Sequence, residues 1–283
     1  MARPRETLIK LHAVSKEYRM GPTSVHAVQH ASLTLHAGEF VLLQGPSGSG
    51  KTTLLSMMGL LMKPTDGRIW LCGQDVTNMG EDELPGLRLR HIGFVFQTYN
   101  LFPALTAFQN VTLALKLKGL GFRKRRTEAK ELLERVGLTE CMYRRPDELS
   151  GGQRQRVSIA RALSGDADII LADEPTAALD TNTGLAIMEL LKNETLAGRK
   201  AVFCVTHDVR LEPFATRVDH IIDGVLTPDA RTPVGMAAVS EDENGSDPNG
   251  HTAPPEPPPP PEPVTATSPA PSAEPPPLPE NEG

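Results

Sequence analysis

Eight consecutive residues, Gly45-Pro46-Ser47-Gly48-Ser49-Gly50-Lys51-Thr52, hold the clearest chemistry in this chain. They fit Gly-x-x-x-x-Gly-Lys-Ser/Thr, a loop whose backbone N–H groups turn inward onto phosphate oxygens. Glycines let the main chain approach an anion that a Cβ would hold off. Lys51 supplies a positive charge for the β- and γ-phosphates, and the Thr52 hydroxyl is a donor oxygen for Mg²⁺. The pattern implies a bound triphosphate with magnesium. The flanks agree with it. Residues 39–44, Glu-Phe-Val-Leu-Leu-Gln, read as a buried strand entering the loop. Residues 52–58 read as a helix leaving it, with Thr53 in its first turn and its positive dipole end at the phosphates.

A second constellation lies far along the chain. Ile169-Ile-Leu-Ala-Asp173-Glu174-Pro175 is an apolar strand ending in two carboxylates. Alone, such a pair could simply open a turn, and Pro175 suits one. Downstream of a phosphate loop it has another use. Triphosphate hydrolysis needs one carboxylate for Mg²⁺ and one group beside the γ-phosphate to position or deprotonate water. Asp173 suits the metal and Glu174 the water. Two adjacent buried carboxylates are costly unless Mg²⁺ and Lys51 offset their charge. Ser150-Gly151-Gly152-Gln153 then opens a helix with Ser150 as cap. That start is either an ordinary capped helix or a second phosphate-ready N-terminus.

The elements that must position these residues alternate in type. Strand candidates are 8–14, 31–35, 40–43, 68–72, 92–96, 168–172, 201–205 and 220–222. Helix candidates are 52–61, 127–136, 152–163 and 183–196. Apolar strands alternating with helices predict an α/β domain with a largely parallel sheet buried on both faces. The first strands alternate polar and apolar residues instead, which predicts a small antiparallel β piece. Residues of about 98–165 read as a helical insertion. The basic run Arg123-Lys-Arg-Arg126 reads as a solvated helix entrance.

Composition narrows the class further. The formal charge is −6, but nine of the 35 acidic residues and none of the 29 basic ones lie in 241–283. The globular part is near neutral, so no nucleic-acid partner is expected. Three cysteines, Cys72, Cys141 and Cys204, form no paired framework, which suits a reducing, cytosolic compartment. No apolar run approaches the length of a membrane span, and the N-terminal residues do not resemble a signal peptide. Residues 236–283 are rich in Pro and Glu, with five consecutive prolines at 257–261. Such a segment cannot bury enough apolar area to offset its ordering entropy, so a disordered tail is expected. It is either a solvated spacer or a docking site for an unknown proline-reading partner.

Leu149-Ser-Gly-Gly-Gln-Arg-Gln-Arg156 resembles the signature motif of the ATP-binding-cassette (ABC) ATPases. Further motifs follow the family's order. Gly45–Thr52 resembles its Walker A loop, Gln97 its Q-loop, and Ile169–Asp173 its Walker B strand, followed by the catalytic glutamate at Glu174. Asp180 falls in its D-loop and His207 at its switch histidine. Tyr18 lies where the family places an aromatic that stacks on adenine. Residues 45–67 and 94–106 are most similar to the macrolide-exporter and lipoprotein-release group. The segment 214–224 departs from that group's usual Ala-Asp-Arg pattern.

The resemblance implies a P-loop, RecA-like core with small antiparallel and helical subdomains over residues 7–230. It implies catalytic roles for Glu174, His207 and Gln97, and a metal set of Thr52, Gln97 and Asp173. It also implies a homodimer in the ATP-bound state, in which Ser150–Gln153 of one copy cover the γ-phosphate held by the other. A separate integral membrane permease would receive the motion, on the cytoplasmic face of the cell membrane. The expected activity is ATP hydrolysis coupled to export or extraction of a lipoprotein, lipid or drug-like molecule. The alternative within the family is a cell-division-type ATPase that transmits force without transport. A soluble DNA-repair or translation cassette fits less well. The short stretch between Gly45 and Leu149 leaves no room for a long coiled coil.

Overall fold

The computed structural model describes residues 6–21, 23–196 and 200–228. The stretch 236–283 lies outside them. In chain order the strands are β1 (Thr7–Met20), β2 (Thr23–His36), β3 (Phe40–Gln44), β4 (Asp66–Leu71), β5 (Gln74–Asp75), β6 (Ile92–Val95), β7 (Ile169–Asp173), β8 (Ala201–Val205), β9 (Arg217–Ile222) and β10 (Val225–Pro228). The helices are α1 (Lys51–Met58), α2 (Leu84–His91), α3 (Ala107–Leu117), α4 (Phe122–Arg135), α5 (Gly151–Leu163) and α6 (Thr181–Leu196).

The strands form one sheet in the order β5-β4-β1-β2-β10-β9-β3-β8-β7-β6. Strands β9, β3, β8, β7 and β6 are all parallel neighbours. Strands β2, β1, β4 and β5 are antiparallel. The two regions join through a single pairing, Val225 with Gln29. The expected antiparallel piece is therefore present and continuous with the parallel part.

Period-two alternation along the central strands divides the core in two. Phe40, Leu42, Ile170, Ala172, Val202 and Cys204 point to one face and pack with Leu115, Leu133, Val157, Ile159 and Met188 of α3 to α6. Val41, Leu43, Ile169, Leu171, Phe203 and Val205 point to the other, against Leu54, Met57 and Met58 of α1 and Ile9, Leu11 and Leu35 of the antiparallel strands. Each fully buried Leu, Ile, Val or Phe contributes about 1.5–3 kcal/mol from desolvation. Both faces are covered, so these strands read as continuous apolar runs rather than alternating ones.

All the expected strands and helices overlap observed ones. Two short strands, β5 and β10, and helix α2 were not anticipated, and α3 falls in the expected helical stretch without having been delimited. Helix α4 begins at Phe122, five residues before the expected start. The basic run therefore lies in its first turns, where Arg125 and Arg126 stack on Phe122 and Arg126 also covers Phe108. The stretch 98–165 is predominantly helical, through α3, α4, α5 and two short 3-10 turns.

Candidate active site

Four neighbouring parallel strands deliver their C-terminal ends to one edge of the sheet. The loop 45–50 follows β3, His207 follows β8, Asp173 and Glu174 end and follow β7, and Gln97 follows β6. Ligands of open α/β sheets bind at this carboxyl edge. Here a cleft of about 580 Å³ is lined by Gly45, Pro46, Ser47, Gly48, Gly50, Lys51, Thr52, Thr53, Gln97, Asp173, Glu174 and His207, together with Ala27. Residues separated by more than 160 positions meet because parallel pairing aligns their strand ends.

The loop is tightly seated. A Cβ on Gly45 would lie 2.1 Å from the Ile221 carbonyl oxygen, and one on Gly50 would lie 2.1 Å from that of Ala27. Gly50, with φ of 103°, is also in a conformation that L side chains rarely adopt. It begins α1, and no side chain caps that helix. The first N–H groups of α1 are thus left for a ligand, and the helix dipole favours an anion there. Lys51 Nζ donates to the carbonyls of Gly45 (2.9 Å) and Pro46 (2.7 Å), which holds the ammonium over the loop. Ser49 is buried beneath the loop and does not line the cleft.

The acidic wall faces this loop. Thr52 Oγ1 donates to Asp173 Oδ2 at 3.0 Å. Burial pushes the Asp173 carboxyl above its ordinary range, and Glu174 adds to the rise, whereas the Thr52 hydrogen bond and Lys51 oppose it. Burial therefore disfavours the charged carboxylate at this position. A hydroxyl and a carboxylate side by side, with the Gln97 amide on the same cleft, form an all-oxygen donor set that suits a hard divalent cation.

Glu174 adopts φ of 47°, a left-handed conformation unusual for a non-glycine residue. Its N–H donates to the Val205 carbonyl at 2.9 Å, which anchors the turn to β8. The turn brings Glu174 Oε1 to 2.8 Å from His207 Nδ1. The carboxylate is 13% exposed and the imidazole 75% exposed. Two of the three residues that the family resemblance marks as catalytic, Glu174 and His207, are thus in direct contact.

Other expected residues lie elsewhere. Ser150 caps α5, accepting from Gln153 N, while Gln153 Oε1 accepts from Ser150 N, a reciprocal capping box. Ser150, Gly151, Gly152 and Gln153 do not line the cleft. A Cβ on Gly152 would approach the Ala178 carbonyl at 3.2 Å, so the glycine admits the segment leading to Asp180. Asp180 precedes α6 and accepts from Thr183 N at 3.0 Å; the Thr183 hydrogen bonds hold its carboxyl below the usual range. Tyr18 stands on β1, outside the cleft lining, with its hydroxyl donating to Met62 Sδ and Lys16 beside its ring.

Sequence reasoning missed Ala27, which supplies backbone shape rather than a functional group. It also missed the tether that joins the Gln97 loop to α5. Arg161 of α5 donates to the carbonyls of Tyr99 and Asn100, both in left-handed conformations, and Arg154 covers the Tyr99 ring. Buried Asn110 binds the same segment further on, accepting from Phe102 N and donating to the carbonyls of Phe102, Leu105 and Thr106. The Thr106-x-x-Gln109 capping box at the start of α3 was the available signal for this region.

Comparison with known proteins agrees with this geometry. The family model described as ABC transporter matches residues 28–177. An uncharacterized ABC transporter ATP-binding protein of Thermotoga maritima is 46% identical over 217 residues, covering 77% of this chain and 92% of that protein. The macrolide export ATP-binding/permease protein MacB of Rhodopseudomonas palustris is 44% identical over 224 residues. This match covers 79% of the present chain but only 34% of that much longer protein. The dimeric structure of a post-hydrolysis state of the ATP-binding cassette MJ0796, bound to ADP and Pi, superposes with a TM-score of 0.75 at 43% identity. It covers 77% of this chain and 96% of that one. MJ0796 itself comes from Methanocaldococcus jannaschii. The phosphate loop, the paired carboxylates and the signature-like helix start thus sit on a shared cassette fold, and the chain belongs to the ABC transporter family as an ATP-binding ATPase.

Proposed function

We propose that this ATPase dimerises head to tail on ATP and drives a separate integral membrane permease that exports or extracts a lipoprotein, lipid or drug-like molecule. One observation carries the dimer. Ser150–Gln153 form a capped helix start that is absent from the lining of the cleft holding Lys51. Two anion-ready helix starts in one chain suit two different nucleotides if each copy supplies one start to the other's phosphate. MJ0796 has been solved as a dimer, which supports the same reading.

In the proposed site Lys51 and backbone N–H groups of the loop and the start of α1 bind the phosphates, and Tyr18 stacks on adenine. Thr52, Asp173 and Gln97 would hold Mg²⁺, which would supply charge stabilisation across the β- and γ-phosphates. Glu174 orients the attacking water and accepts its proton. His207, hydrogen-bonded to Glu174, holds that carboxylate and reports on the γ-phosphate beside it. Asp180 borders the Gly152 region and would lie at the dimer interface. Release of the cleaved phosphate would weaken the hold on the partner's Ser150 helix start, and the dimer would open.

The Arg161 tether would carry that change from Gln97 to the helical stretch of about 98–165, within a cassette domain of about 7–230. Among the described residues no helix is long and apolar enough to cross a membrane. The force would pass to the proposed permease. The proposed location is peripheral, on the cytoplasmic face of the membrane. Co-purification of Glu174→Gln with ATP from detergent-solubilised native membranes tests this. A stoichiometric polytopic permease is the expected partner. Recovery of only soluble, DNA or ribosomal partners would overturn the transport assignment.

A further inference from the structure

The edge of the sheet opposite the nucleotide cleft holds a second cluster of reactive side chains. Ile92 of β6 pairs with Ile169 of β7, so the residues immediately before them, His91 and Asp168, stand side by side. His91 Nδ1 lies 2.6 Å from Asp168 Oδ2. Cys72, in the turn between β4 and β5, brings its Sγ to 3.6 Å from the same nitrogen. The three ligand atoms lie within 4.8 Å of one another. The cluster is a strand's length from the cleft, about 16 Å along β7.

The arrangement is unlike a nucleophilic relay. A Cys–His–Asp relay places the thiol and the carboxylate on opposite ring nitrogens, so that the carboxylate orients the ring while the other nitrogen takes the thiol proton. Here both acidic groups converge on Nδ1. Burial, with Asp168 and Glu6 nearby, pushes the Cys72 thiol up to about 11, so the free thiol is a poor nucleophile.

Convergence of sulfur, nitrogen and oxygen on one point suits a metal ion instead. We propose that Cys72, His91 and Asp168 form a zinc site, with water in the fourth position. Tetrahedral zinc, with bonds of about 2.3 Å to sulfur and about 2.0 Å to nitrogen, sets sulfur and nitrogen about 3.5 Å apart. The observed Cys72–His91 separation already matches. The carboxylate must retreat from Nδ1 by under about 1 Å, since nitrogen and oxygen ligands sit about 3.3 Å apart. Asp168 is 38% exposed and has room to do so. Bound zinc would staple the β4–β5 turn and the end of α2 to the start of β7, joining the antiparallel region to the parallel core.

The test uses untagged full-length protein, stripped by a chelator and titrated first with Co²⁺ and then with Zn²⁺, without nucleotide. Cys141 and Cys204 are buried, so a thiolate-to-cobalt absorption band reports Cys72. Wild type is expected to bind one Co²⁺ per chain with this band, to lose the band on adding Zn²⁺, and to melt at a higher temperature with Zn²⁺. Cys72→Ser should abolish the band and weaken Zn²⁺ binding at least about tenfold, and Asp168→Asn should keep the band and weaken binding similarly. Circular dichroism confirms that both variants fold. Absence of the band in wild type, or equal Zn²⁺ affinity in wild type and a folded Cys72→Ser, overturns the site and leaves an ordinary His–Asp ion pair.

Discussion

The proposed function gives Glu174 and Lys51 separable tasks, and their substitutions should fail in different ways. Glu174 touches His207 and sits at the cleft wall, but it contributes no positive charge to hold a phosphate. Glu174→Gln keeps the shape and the hydrogen-bonding capacity and loses the base. Turnover should fall by about 10²–10⁴-fold while ATP affinity is retained. A wild-type rate of phosphate release would remove Glu174 from the chemistry. In the proposed site Lys51 would contribute a charge-assisted bond worth about 1.5–3 kcal/mol, so Lys51→Ala should weaken ATP binding about 10- to 100-fold. Unchanged affinity by equilibrium titration would contradict its role. Both residues are readable in the sequence because their chemistry needs a particular side chain at a particular spacing. Ala27 is not readable, because a carbonyl and a small side chain at the right register can come from almost any residue.

The phosphate loop makes a graded prediction about an element. Alanine at Gly50 must adopt a left-handed φ and also clashes with the Ala27 carbonyl, so it should cost at least about 3 kcal/mol. Alanine at Gly48 meets nothing within 4 Å and bears only the left-handed conformation, a cost of about 1–2 kcal/mol. At about 2–4 °C per kcal/mol, Gly50→Ala should melt several degrees below Gly48→Ala. Equal melting temperatures would mean that the loop relaxes freely away from β2. The parallel strands were legible because burial on both faces writes unbroken apolar runs such as Phe40–Leu43 and Ala201–Val205. Helix α2 was not, because its Leu-Pro-Gly start is a poor helix former and only Leu84 is buried. Helix α3 was legible in principle from Thr106 and Gln109, by the same capping logic that marks Ser150 and Gln153. Strand β5 has only two residues, too few to carry any period.

Of the helix starts at Lys51 and at Ser150–Gln153, only the one at Lys51 lines the cleft. That separation was legible as two motifs, Gly45–Thr52 and Ser150–Gln153, but not as geometry, because spacing along the chain does not say which ends of the sheet they reach. In the proposed dimer a second copy brings them together over one nucleotide. On the proposed reading, Glu174, His207 and Lys51 of one copy would respond to the γ-phosphate only with the partner's Ser150 helix start in place. Sedimentation velocity of Glu174→Gln, with Mg²⁺ and with either ATP or ADP, tests this most directly. The expected result is a dimer with ATP, a monomer with ADP, and loss of the ATP dimer when Ser150–Gln153 carry a bulky substitution such as Gly151→Trp. A variant that binds ATP fully and stays monomeric at every protein concentration would contradict it.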